Sequence, residues 1–117
     1  VTSRTTRRWI VPKGWPMKGI KDRDAAAREA YEEAGVTGRI SREPAGRYTY
    51  WKRMNDHFTL CEVKLYLLAV EKQLDGFREQ HERDLHWFKL ADAADIVDDP
   101  ELSTAIRKLE AQAPLAA

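Results

Sequence analysis

The apolar and polar positions of this chain change period several times, and each change marks an element. Residues 1–3 read as the tail of a strand. Residues 7–12 read as a strand with Trp9 and Val11 on one face and Arg8 and Ile10 on the other. Pro12, Gly14, Pro16 and Gly19 then force a loop. Residues 25–34 form a short helix pattern, with Asp22 and Asp24 offering N-cap oxygens and Gly35 placed as its stop. A brief strand is expected over 38–40. Residues 47–52 alternate Tyr48 and Tyr50 against Thr49 and Trp51, and a turn follows over 53–56. The longest strand signal is 58–70, with Cys61, Val63, Leu65, Leu67 and Ala69 on one face, so the two strands are expected to form a hairpin. A polar loop over 71–82, a short strand over 85–89 and a helical turn over 91–97 complete the middle. Pro100 opens a last helix running to about residue 111, striped by Leu102, Ile106 and Leu109.

The helix over 25–34 has two unlike sides. At 100° per residue, Arg28, Glu29, Glu32 and Glu33 fall within an arc of about 140°. Ala26, Ala27, Ala30, Tyr31 and Ala34 take the opposite side, which is expected to face the core. For stability alone the acidic side is poor: Glu29 and Glu33 repel at i,i+4 by roughly 0.2–0.5 kcal/mol. Glu32 and Glu33 also stand in the last turn, where the helix dipole disfavours anions by about 0.3–1 kcal/mol. Arg28 offsets part of this through Glu32. A divalent cation would offset more, since carboxylate oxygens are what Mg²⁺ and Mn²⁺ select.

Composition narrows the class. With 117 residues, 43% hydrophobic and 33% charged, the chain reads as one globular domain with one modest core. The net charge of +1 says little, but the first 18 residues hold Arg4, Arg7, Arg8, Lys13 and Lys18 and no acid, a run that attracts phosphate or nucleic acid. Cys61 is the only cysteine, which excludes an intrachain disulfide and a cysteine-based zinc site; a small buried hydrophobe and a cytoplasmic setting are expected. No signal peptide, transmembrane run, repeat or linker stands out, so no membrane partner is expected.

The order Gly14, Arg28, Glu29, Ala30, Glu32, Glu33, Gly35, Val36 resembles the Nudix box, G-x5-E-x7-R-E-U-x-E-E-x-G-U with U aliphatic. Only the first glutamate is missing, its place taken by Ile20. The preceding RWIVPKG, the later HWF at 86–88 and the final helix also look like that family, and RRWIVPKGW most resembles its branch acting on diphosphoinositol and dinucleoside polyphosphates. The resemblance implies an α+β fold, an α/β/α sandwich with a mixed β-sheet and a rigid loop-helix-loop motif, as a single domain over 1–117. Folds of the family carry another strand ahead of this point, so one reading is a truncated or partly observed chain that lacks some ligand contacts.

By the same resemblance, Glu29, Glu32 and Glu33 ligate Mg²⁺ or Mn²⁺. The catalytic set is Glu32, Glu33 and Arg28, with one glutamate also deprotonating the attacking water and Arg28 holding the carboxylates in position. Metal bridging a diphosphate neutralises its charge and yields a nucleophile near neutral pH. Ile20 cannot bind a cation, and the residue before Trp87 is His86, so Glu79, Glu82, Asp22 and Asp24 stand as alternative sources of the lost oxygen. Fewer or weaker metals and slow turnover are expected. Arg8, Lys13, Lys18, Lys52 and Arg53 are the substrate-binding candidates, with Arg4 and Arg7 beside them, and Gly14 lets backbone approach the ligand. His57 and His81 are weaker phosphate candidates. Among Trp9, Trp15, Trp51 and Trp87 a core role is expected, with Trp15 the best candidate for stacking on a base.

The implied function is metal-dependent hydrolysis of a diphosphate linkage in a polyphosphate or nucleotide. Two readings stand beside it: a catalytically impaired module binding nucleotide or polyphosphate as a sensor, motivated by Ile20 and His86, and removal of 5′ pyrophosphate from RNA, which rests on the basic amino-terminal strand alone. Nucleic acid is not the partner expected first.

Overall fold

The computed structural model describes residues 1–112. The elements are α1 (Asp22–Ala34), β1 (Val36–Ile40), β2 (Gly46–Arg53), β3 (Phe58–Leu65), β4 (Leu68–Gln73), α2 (Leu90–Ile96) and α3 (Pro100–Gln112). They belong to two compact units, one of Val1–Pro44 with Tyr66–Trp87, the other of Ala45–Leu65 with the chain from Phe88 onward. No helix among the described residues is long and apolar enough to cross a membrane.

In the first unit α1 starts at Asp22, earlier than expected. Its N-cap is Lys21, whose own side chain makes no capping hydrogen bond; Asp22 and Asp24 lie inside the first turn, where their charge complements the dipole. The far end is as anticipated. Gly35 turns left-handed at φ 67° and its N–H donates to Tyr31 O at 3.0 Å. The following chain then closes over that end: Leu74 N–H donates to Gly35 O at 2.7 Å, and Gln73 Nε2 donates to Ala34 O at 2.9 Å and Gly35 O at 3.2 Å. These bonds satisfy carbonyls that a helix terminus otherwise leaves open. β1 pairs antiparallel with β4, from Val36↔Gln73 to Ile40↔Leu68.

Three strand expectations change here. The strand over 7–12 is absent: Arg7 sits at φ 54°, Ser3 N–H donates to Arg8 O at 2.8 Å, and only a lone bridge, Thr2↔Trp9, joins the folded-back segment. No strand forms over 85–89. The amino-terminal segment meets that stretch at Asp84 instead, where Thr2 N–H donates to Asp84 O at 3.0 Å and Asp84 N–H to Thr2 Oγ1 at 2.9 Å. The long strand over 58–70 breaks at Tyr66–Leu67, where the chain passes between units. Ser41 takes both groups of Leu67: its N–H donates to Leu67 O at 2.7 Å and its Oγ accepts Leu67 N–H at 3.0 Å. The shared face therefore ends at Leu65, Leu67 is exposed, and β4 extends to Gln73 where a loop was expected.

The second unit holds the expected hairpin. β2 and β3 pair from Gly46↔Leu65 to Arg53↔Phe58, and Met54 N–H closes the turn on His57 O at 2.8 Å. Tyr48 and Leu65 are buried on one face, whereas Trp51, Phe58 and Leu60 on the other are exposed. α3 packs on β2 and α2 through Leu102, Ala105 and Ile106. Asp99 Oδ1 accepts Glu101 N–H at 3.0 Å, and Ser103 Oγ donates to Ala94 O at 2.6 Å. Three of the four tryptophans are not core residues as expected: Trp15, Trp51 and Trp87 are more than half exposed, while Trp9 is half-buried.

A Cβ at Gly35 would lie 2.2 Å from Phe77 Cδ1 in a backbone that L-residues rarely adopt. Gly35→Ala should therefore lose at least about 1–2 kcal/mol from the left-handed backbone alone, and more from the collision. Urea denaturation checks this. In a Phe77→Ala background the collision part should vanish and the backbone part persist; equal stability of Gly35→Ala and the parent would contradict this helix end.

Candidate metal and diphosphate site

Two of the three box glutamates meet at the carboxyl-terminal turns of α1. The buried residues of this helix are Ala25, Glu33 and Ala34, while Tyr31, assigned to the core face, is exposed. At the helix end Glu33 of the acidic side is thus turned inward together with Ala34 of the alanine side, and Glu33 is only 4% exposed. Glu29 stands one turn earlier, and its negative charge acts on Glu33. The loop ahead of α1 lies directly on Glu29. A Cβ at Gly14 would stand 2.6 Å from its Cδ and Oε1. The close approach that Gly14 permits is therefore to this carboxylate.

Burial dominates the electrostatics of Glu33. It pushes the carboxyl up to about 8, helped by the neighbouring Glu29 carboxyl and by the negative charge of Glu79, and opposed by the Arg83 guanidinium. Arg83 Nη2 lies 3.5 Å from Glu33 Oε1, yet that oxygen accepts no hydrogen bond among the described residues.

Glu32 faces elsewhere. Its Oε1 takes Arg28 Nε and Arg78 Nη1, each at 3.3 Å. Arg28 thus pairs with one carboxylate of the box. Of the alternative oxygen sources, Glu79 comes to the site. Its N–H donates to Glu32 O at 3.0 Å, its Oε1 accepts Arg83 Nε at 3.0 Å, and its charge acts on Glu33. Glu82 stays on the surface, 3.6 Å from Arg4. Asp24 is exposed in the first turn of α1. Ile20 is exposed in the loop two residues ahead of α1. Sequence reasoning missed Arg78 and Arg83. The only signal was the i,i+4 spacing of Glu79 and Arg83 within a polar stretch.

The substrate candidates divide between the units. Arg8, Lys13, Gly14 and Lys18 belong to the first, on the segment leading to α1; Lys52 and Arg53 end β2 in the second. Arg8 Nε donates to Thr6 Oγ1 at 3.0 Å, and Arg7 pairs with Asp84 at 3.6 Å. Arg4 reaches Glu79 at 3.9 Å and Glu82 at 3.6 Å. His57 contacts Asp56 at the hairpin turn.

The donor set can be tested against a divalent ion. Among the described residues no three acidic, histidine or cysteine side chains form a ready cage. Mg²⁺ does not require one: it is commonly held by one or two carboxylates together with water and substrate phosphate. Glu29 and Glu33 offer hard oxygens one helical turn apart, and Glu33 Oε1 is a buried acceptor without a hydrogen bond among the described residues. These residues fit such an ion.

Comparisons with known proteins agree with the motif. The NUDIX domain family model matches residues 2–109. Nudix hydrolase 16, mitochondrial, of Arabidopsis thaliana is 33% identical over 101 residues, which is 83% of this chain and 56% of that protein. Diphosphoinositol polyphosphate phosphohydrolase 2 of Rattus norvegicus is 33% identical over 98 residues, 82% of this chain and 51% of that protein. A solved C. elegans Ap4A hydrolase binary complex matches with a TM-score of 0.62 at 26% identity, covering 94% of this chain and 80% of that one. The chain spans about half the length of the curated relatives it matches. With the domain matched from residue 2 to residue 109, the chain belongs to the Nudix family and has its α+β fold.

Proposed function

We propose that this chain hydrolyses a diphosphate linkage in a phosphate-rich small molecule, of the diphosphoinositol or dinucleoside polyphosphate type, using Mg²⁺ or Mn²⁺. The observation that carries the proposal is the buried carboxylate of Glu33, 4% exposed, with Glu29 one helical turn away and an oxygen that accepts no hydrogen bond among the described residues. The names of the rat relative and the worm structure support the substrate class.

A divalent ion bound at Glu29 and Glu33 would supply charge neutralisation for the diphosphate and a more acidic water. Glu33 is the base best suited to the attacking water. In the metal-free protein its carboxyl retains a proton to about pH 8, so it would serve as base only once a bound divalent ion favours its ionised form. Arg28 and Arg78 fix Glu32, and so the last turn of α1. Gly14 leaves bare backbone above Glu29. Arg8, Lys13 and Lys18 place positive charge on the segment entering this loop, with Lys52 and Arg53 as further phosphate-binding candidates in the second unit.

A second reading, a module that binds polyphosphate with little turnover, is favoured by one observation: an alkyl group, Ile20, at the box position of the first carboxylate. The two readings part on kinetics.

Three outcomes check this site. In metal-free protein Glu33 holds its proton more tightly folded than unfolded, so its contribution is full below its ordinary value of 4.5 and is lost as pH rises through about 8. Thermal stability of the parent relative to Glu33→Gln should therefore fall from about pH 5 to about pH 8, by up to about 1.4 kcal/mol per pH unit; a rise over that window would contradict the burial. With Mg²⁺ or Mn²⁺ and a panel of diphosphoinositol polyphosphates and diadenosine polyphosphates, Glu33→Gln should cut the hydrolysis rate by about 100-fold or more. Undiminished cleavage by that variant rejects the assignment. Ile20→Glu decides between turnover and mere binding: a modest gain over a measurable parental rate supports the hydrolase, and a large gain from near zero supports the binding module.

A further inference from the structure

We infer that Arg83 is a resident counter-cation of the carboxylate site, a positioning residue that orders Glu33 and Glu79 and sets how tightly a divalent ion binds beside them; this rests on Glu29 and Glu33 being the metal ligands, as proposed above. Its side chain is 9% exposed, unusual for an arginine, and each edge of its guanidinium is engaged. Nη1 donates to Thr2 O at 2.9 Å, Nε donates to Glu79 Oε1 at 3.0 Å, and Nη2 lies 3.5 Å from Glu33 Oε1. Glu79 is itself tied by its N–H to Glu32 O at 3.0 Å. One side chain therefore joins the amino-terminal segment, the turn around 78–84 and the last turn of α1.

The three contacts are not equivalent. Those to Thr2 and Glu79 are hydrogen bonds, whereas Glu33 Oε1 receives only the charge. A divalent ion can take that oxygen without breaking a hydrogen bond, while Arg83 stays anchored on its other two edges. The arginine then orders the ligands and also repels the incoming ion. Removing its charge favours a proton on Glu33 as well as the metal, but a doubly charged ion gains about twice as much as a proton. The metal therefore gains on balance.

Mn²⁺ affinity, measured by calorimetry and by electron paramagnetic resonance for the parent, Arg83→Gln, Arg83→Lys and Glu33→Gln, tests this. Glutamine keeps donors and loses the charge, so Arg83→Gln should bind Mn²⁺ tighter by about tenfold or more while its metal-free melting temperature drops. Arg83→Lys keeps the charge and should keep the parental affinity; Glu33→Gln should abolish binding. If the parent binds and Arg83→Gln binds equally or more weakly, the role of Arg83 is overturned and the metal site stands. Binding by Arg83→Gln alone supports it. If neither binds, both readings fall. Should Arg83→Gln not fold, Mg²⁺ titration of the parent by NMR decides: the Arg83 Nε–Hε signal should move with the same half-saturation as the Glu33 carboxylate, and a signal that stays still overturns the inference.

Discussion

An ionised carboxylate taken out of water costs several kcal/mol unless a charge or proton compensates it, and Glu33 is taken out of water beside a second carboxylate. The cause lies two residues on. Gly35 turns left-handed without a Cβ, so Phe77 can pack against it, and Gln73 and Leu74 bond the carbonyls of the helix end. That closure draws the last turn of α1 inward. Ala34 and Val36 profit from burial, and Glu33, fixed by helical geometry, is carried in with them. What the glutamate loses in hydration is met in part by Arg83, in part by the proton its carboxyl retains, and on the proposed reading by a divalent ion.

The parts legible in the sequence were local. Gly35 as a helix stop, the β2–β3 hairpin and Pro100 at the head of α3 follow from backbone preferences that hold within a few residues. Orientation was another matter. Periodicity shows that the alanines and the glutamates of α1 lie on opposite sides, but alanine buries too little area to decide which side turns in. The clamp of Phe77, Leu74 and Gln73 decided it, and left Tyr31 outside. The strand over 58–70 failed for a similar reason. Its alternation is continuous, yet Ser41, far away in sequence, takes the hydrogen-bonding groups of Leu67 and interrupts the ladder.

The site was legible as a motif and not as a geometry. Box spacing picked out Gly14, Arg28, Glu29, Glu32 and Glu33. It could not show that Glu29 lies against Gly14, or that Glu32 faces two arginines instead of its neighbours. Charges in the 78–84 stretch looked solvated, because a polar loop gives no sign of which of its side chains is buried. Arg83 is, and it brings Glu79 with it. At Ile20 the box has lost one acid, and the turn around 78–84 adds one acid and one base near Glu33. The local field is accordingly less negative than four box carboxylates would make it.

That balance bears on how a phosphate-rich substrate would be drawn in. Arg4 and Arg7 are engaged by Glu79, Glu82 and Asp84, and Arg28 and Arg78 by Glu32. Arg4 and Arg78 are well exposed, and exposed ion pairs are worth only about 0–1 kcal/mol. A ligand with several phosphate charges can therefore exchange places with Glu79 or Glu82 on Arg4 at small cost. Arg83, deeply placed and hydrogen-bonded to Thr2 O, cannot follow it outward. On the proposed reading the arginines serve two purposes by depth: those at the rim can change partners for the substrate, and the one within keeps the carboxylates in register.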